Sequence, residues 1–247
     1  MAEPKRRDST EEGFCPLGTC DGSGWLLDEQ NSATECGCRQ TRVNKARTRN
    51  MGTGIPRRFM RDASFDRNPV RDMNPVIRRD AQRFCREIDA NLDAGRGRWF
   101  FGDIGTGKTL LAMLISKAAL EAGRSVAVYS VPRLLAEIKE TYDTDSERSY
   151  MDLFDRLCSV DLLHLDDLGA EKRTEWVLEQ LYSIINERWQ DERSVIVTTN
   201  LPHDELRDQI GARTVSRLME ICGEPIPLMG GDLRMTYKPP EDDSAAA

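Results

Sequence analysis

Gly102 to Thr109 reads GDIGTGKT, the pattern Gly-x-x-x-x-Gly-Lys-Thr, and the residues on either side decide what it means. Ahead of it, Arg98–Phe101 (RWFF) is short, apolar and aromatic-rich, as a buried strand should be. Behind it, Leu110–Leu120 (LLAMLISKAAL) is a strong helix former. A strand, a glycine-rich loop and a helix in that order make a phosphate-binding loop. The glycines let successive N–H groups face phosphate oxygens, and the helix N-terminus adds the positive end of its dipole. The loop residues Gly102, Asp103, Ile104, Gly105, Thr106 and Gly107 are expected to cradle the phosphates. Lys108 is expected to reach the β- and γ-phosphates, and the Thr109 hydroxyl to ligate magnesium. A glycine-rich turn that happens to precede Lys-Thr is the bland alternative, and the flanks count against it.

Further runs follow in alternation. Ser125–Ser130 (SVAVYS) reads as a strand, and Pro132 suits the first turn of a helix Leu134–Tyr142. Leu162–Asp167 (LLHLDD) is an apolar strand ending in two carboxylates. A phosphate-loop domain needs a carboxylate at the end of a neighbouring strand to hold magnesium, and Asp166 is the candidate. Asp167 would then face the γ-phosphate and orient or deprotonate the attacking water. Thr174 caps a predicted helix to about Asp191, and Ser194–Asn200 (SVIVTTN) is another buried strand. Asn200 reads two ways, as a hydrogen-bond donor to the γ-phosphate or water, and as a turn former before Leu201-Pro202. Alternating strands and helices predict an α/β fold with a parallel sheet flanked by helices and ligand at the carboxyl ends of the strands.

The N-terminal region has a different composition. Four of the seven cysteines, Cys15, Cys20, Cys36 and Cys38, fall in a Cys-x4-Cys-x15-Cys-x-Cys pattern. Two close pairs across a hairpin-sized loop suit tetrahedral zinc, and so small a module gains a metal in place of a core. A disulfide framework is the alternative. The absence of an apolar signal region in MAEPKRRDSTEEG, and of any apolar run near roughly 18 residues, makes a reducing cytoplasm the expected setting. Cys85, Cys158 and Cys222 read as small buried hydrophobes. The net charge of −7 hides an asymmetry: Arg39–Arg83 carries 13 basic residues against 4 Asp, a local +9. Such an arm on an acidic body suits a nucleic-acid or acidic partner, or equally a solvated linker. One helix is expected over Val76–Leu92.

Taken together, these motifs resemble the AAA+ ATPases, and within them the DnaC/DnaI-type bacterial helicase loaders with their IstB-like relatives. The resemblance runs from about Ile55 to Tyr237. Its most specific stretches are LLHLDDLGAEKRTEW (Leu162–Trp176) and VIVTTN (Val195–Asn200). IPRRFMRDASFD (Ile55–Asp66) is similar to the opening of that domain, and Cys36–Arg39 (CGCR) to the end of the cysteine-rich module of DnaI-like proteins. It implies that Arg217 in GARTVSRL is an arginine finger reaching a neighbouring subunit's ATP, with Arg213 a weaker candidate. It implies that Arg234 in GDLRM is a second sensor arginine acting in cis. Many family members carry Asp-Glu where this chain has Asp166-Asp167.

The expected organisation is a zinc module over 1–43, a basic linker over 44–54, an AAA+ ATPase domain over 55–237 and a disordered tail over 238–247. The expected activity is ATP hydrolysis with Mg2+, in a homo-oligomer that loads a replicative DNA helicase onto single-stranded DNA. An IstB-like transposition regulator shares the core. A non-catalytic ATP-binding adaptor is the rival from another class, and a small-molecule kinase lacks an acceptor site or lid in this sequence.

Overall fold

The computed structural model of this chain describes residues 15, 17–27, 32–39, 54–56, 59, 60, 63–142 and 149–233. Most of the linker 44–54, Arg234 and the tail 238–247 therefore lie outside the described residues, as does much of the basic arm. The chain forms two units, Met1–Met51 and Gly52–Ala247. In the first, β1 (Trp25–Leu27) and β2 (Ala33–Glu35) pair antiparallel, with Trp25 opposite Glu35. Among its described residues Cys15, Cys36 and Cys38 are buried together, with Cys20 and Leu26 packed against them.

In the second unit the apolar runs form strands: β3 (Arg98–Phe101), β4 (Val126–Ser130), β5 (Leu162–Asp166) and β6 (Ser194–Thr199), with the two-residue β7 (Ile226–Pro227). They make a five-stranded sheet in the order β4-β5-β6-β3-β7, all pairs parallel. A parallel sheet is covered on both faces, so its strands read as continuous apolar runs rather than alternating ones. The expectation for magnesium put the aspartate-bearing strand next to the phosphate-loop strand. Instead β6, late in sequence, lies between them, and its threonines separate Asp166 from the loop strand.

Among its described residues the second unit carries helices α1 (Pro75–Arg86), α2 (Ile88–Asp93), α3 (Lys108–Glu121), α4 (Val131–Glu140), α5 (Tyr150–Ser159), α6 (Glu175–Gln190), α7 (His203–Ile210) and α8 (Ala212–Cys222). Asn74 starts α1 by accepting from Val76 N–H at 2.9 Å, with Pro75 at the first helical position. The single helix expected over Val76–Leu92 is two, broken at Glu87. Asn91 Nδ2 donates to the Phe84 carbonyl at 3.2 Å, the acceptor an unbroken helix would give to Ile88. Behind the phosphate loop, α3 buries Leu111, Ala112, Met113, Leu114, Ile115, Ser116 and Ala119 in the core and keeps only Lys117 and Glu121 as a charged pair near its end. Among the described residues, no helix is long and apolar enough to cross a membrane.

Arg188 lies inside this unit with no exposed surface. Its guanidinium donates to the carbonyls of Leu157 (2.7 Å), Cys158 (3.2 Å), Asp161 (3.4 Å) and Ser194 (2.6 Å). These carbonyls belong to the end of α5, the approach to β5 and the start of β6, so one side chain satisfies backbone groups that the crossovers leave unpaired. Burial pushes its pKa down to about 9, which still leaves it charged at neutral pH.

Candidate functional site

The carboxyl ends of β3, β5 and β6 open into a cavity of about 940 Å³. Its polar wall holds Lys108, Thr109, Asp166, Asp167 and Asn200, with Ile104, Gly105 and Gly107 of the loop. Gly102, Asp103 and Thr106 shape the loop from outside that wall: Thr106 Oγ1 donates to the Asp103 carbonyl at 2.9 Å. Gly105 and Gly107 hold φ of 81° and 93°, which side chains rarely adopt. A Cβ on Gly107 would also stand 2.0 Å from Met73 Cε. Lys108 is buried and donates from Nζ to the Gly102 (2.8 Å) and Asp103 (2.6 Å) carbonyls.

Asp166 is the electrostatic centre. One oxygen, Oδ1, accepts from Thr109 Oγ1 at 2.9 Å and from Thr198 Oγ1 at 2.6 Å. His164 Nε2 stands 3.8 Å from the same oxygen, and the His164 ring is fixed by Ser116 Oγ, 3.1 Å from Nδ1. Burial opposes charge on Asp166, but His164 and the two hydroxyls outweigh it and hold the carboxyl below its ordinary pKa. A charged carboxylate beside a threonine hydroxyl is an all-oxygen pair suited to magnesium. The predicted strand reached Asp167, yet β5 ends at Asp166 and Asp167 turns out at φ 57°. The Asp167 N–H donates to Thr198 Oγ1 at 3.0 Å. Thr198 therefore couples both aspartates, and Thr199 Oγ1 ties β6 to the Leu168 carbonyl at 2.6 Å.

The other half of the cavity is built from residues that sequence reasoning did not assign. Phe59, Ala63, Ser64, Pro69, Val70 and Leu233 add a largely apolar lining to the same cavity, of a kind that fits a nucleobase and ribose. Lys117 anchors that lining by donating to the Ala63 carbonyl at 3.2 Å. The sequence signal for its Phe59–Ser64 part was the resemblance of Ile55–Asp66 to the opening of the family's domain. Near the loop after β5, Glu171 is buried, with Oε2 accepting from Gly169 N–H at 2.9 Å and burial pushing its pKa up.

Arg217 and Arg213 are not on the cavity wall. Both lie on α8, Arg213 exposed and Arg217 partly so. In the first unit the four sulfurs of Cys15, Cys20, Cys36 and Cys38 lie within 4.8 Å of one another. The Cys15–Cys36 and Cys20–Cys38 separations are 3.8 and 3.5 Å, too long for disulfides. Zinc bonded to four thiolates at about 2.3 Å sets them ~3.8 Å apart, so the donors fit that metal in kind and spacing.

This architecture has known counterparts. The replicative helicase loader DnaC of Buchnera aphidicola subsp. Schizaphis graminum is 25% identical over 195 residues, 78% of this chain and 78% of its own length. The crystal structure of the DnaC helicase loader superposes with a TM-score of 0.58 at 24% identity, over 70% of this chain and 99% of that one. The crystal structure of DnaI gives 0.59 at 24% identity, over 71% and 95%. At that identity the two structures speak for the fold alone, an α/β fold with a parallel sheet flanked by helices. The family model for the IstB-like ATP binding proteins matches residues 36–219, a span that holds the phosphate loop, both strand-end aspartates, Asn200 and Arg217. The chain belongs to the IstB-like ATP binding protein family.

Proposed function

We propose that this protein is an ATPase that loads a replicative DNA helicase onto single-stranded DNA. The observation that carries the nucleotide part is that Lys108, Thr109, Asp166, Asp167 and Asn200 line one cavity together with the apolar Phe59, Ala63, Val70 and Leu233. The helicase part is supported by the relatives named as loaders. Thr109 and Asp166 would hold Mg2+, which when bound neutralises phosphate charge. Lys108 leaves its loop carbonyls to bind the terminal phosphates. Asp167, oriented through its backbone bond to Thr198, accepts the proton of the attacking water, and Asn200 positions that water. Arg217 serves the site of a second copy and Arg234 its own.

The division of labour would follow the proposed boundaries: zinc module 1–43, basic linker 44–54 and ATPase domain 55–237. The module and linker grip the helicase. An aromatic cluster on the second unit suits single-stranded DNA. Tyr142 is exposed and stacks on Tyr150 at 5.9 Å, with Trp176 edge-on to Tyr142 at 6.4 Å and Lys139 5.0 Å over the Trp176 ring. Rings flanked by a cation stack bases without regard to sequence. The IstB-like transposition regulator remains the second reading because the family match fits it equally; the cysteine cluster favours the loader. Capture from source-cell extract, with and without ATP, tests the choice. The hexameric replicative helicase should be recovered in an ATP-sensitive manner, whereas recovery of a transposase alone would select the regulator.

A further inference from the structure

Arg217 is held in a closed ring of three side chains. Its guanidinium carbon lies 3.5 Å over the ring of Trp189, on α6. Its Nη1 donates to Glu220 Oε1 at 2.9 Å, and Trp189 Nε1–H donates to Glu220 Oε2 at 2.8 Å. One carboxylate thus fixes both the charged group and the plane on which it stacks. The indole N–H bond selects one ring orientation, and that orientation presents the face that attracts a cation. The ring joins two helices, since Trp189 is on α6 and Arg217 and Glu220 are on α8.

We infer that Trp189 and Glu220 are positioning residues that hold the Arg217 guanidinium preformed for the γ-phosphate bound by a second copy of this chain. The inference rests on the reading of Arg217 as the arginine that acts in trans. A long arginine side chain free at a surface would have to be ordered each time two copies meet; here the order is built in beforehand. The Glu220 bond uses one of five guanidinium N–H donors, so the anchor leaves donors for phosphate oxygens. The side chain is 29% exposed, enough to be reached from outside its own subunit. Glu220 is half exposed, so water screens its charge and the anchor does not cancel the guanidinium's.

The test places the substitution in a chosen subunit. Lys108→Ala subunits supply Arg217 but no nucleotide, and Arg217→Ala subunits supply nucleotide but no finger, so mixing them should restore hydrolysis. Glu220→Gln keeps one of the two carboxylate bonds, and Trp189→Phe keeps the stack but not the N–H. Either change, added to the Lys108→Ala subunit, should cut the restored rate about tenfold. Added to the Arg217→Ala subunit, it should change nothing, because that subunit has no guanidinium to position. ATP affinity and melting temperature should not move in either single variant. Equal rescue from altered and unaltered Lys108→Ala subunits overturns the positioning role while leaving the finger intact. Equal losses from both placements mark the ring as merely structural and overturn it as well. If mixing restores nothing even without these changes, Arg217 does not act in trans, and the inference falls with that reading.

Discussion

Thr198 joins the two halves of the proposed chemistry with a single hydroxyl, donating to Asp166 and accepting from the Asp167 backbone. Thr198→Val keeps the β-branched shape and loses both bonds. It should bind ATP normally and hydrolyse it about tenfold more slowly, near 1.4 kcal/mol on the barrier, as steady-state turnover would show. Lys108→Ala should abolish measurable ATP binding in a titration, since it removes the cation of the phosphate loop. Glu171 gives a pH signature. Burial raises its folded pKa, so between the ordinary Glu value of about 4.3 and the raised one the folded chain binds more protons than the unfolded. That group's contribution to stability therefore falls as pH rises through the window. Glu171→Gln should lack the decline in melts compared at successive pH values above the ordinary Glu value of about 4.3; identical pH slopes would exclude the burial effect. At this scale the phosphate loop and Asp166 were legible because the chemistry demands fixed residue types at fixed spacing. Thr198 was not, because a threonine in a buried strand reads as β-branched filler.

Among elements, Arg188 shows what an amphipathic pattern hides. It falls on α6 in line with the apolar face, four residues after Ile184 and three after Ile185, where a cation reads as out of place; it is fully buried and bonds four carbonyls of other segments. Arg188→Leu should cost about 3 kcal/mol by leaving those carbonyls unpaired, lowering the melting temperature about 10 °C. The four long strands were readable as apolar runs, and Thr174 as a cap whose side chain accepts a helix N–H. Spatial order was not, because alternation along a chain does not say which strand inserts where; β6 lies between β3 and β5. The break at Glu87 depends on the Asn91 side chain, which no 3.6-residue period encodes.

For the whole molecule, the cysteine cluster and the nucleotide cavity belong to separate units, and their proposed stabilities separate too. Freshly reduced protein should carry about one zinc per chain by elemental analysis. Cys15→Ser should lose it and unfold the first unit, because metal binding supplies that unit's folding energy, while ATP binding persists. Composition foretold two regions of different character, whereas the pairing of Arg217 with Trp189 and Glu220 needed α6 and α8 to be brought together. Loading itself is tested on closed circles of single-stranded DNA, which a preformed helicase ring cannot thread. Purified helicase should be retained on the circles when this protein and ATP are both present, and lost when Lys108→Ala replaces the native chain. Retention that is equal without this protein, or undiminished by Lys108→Ala, would contradict an ATP-dependent loader.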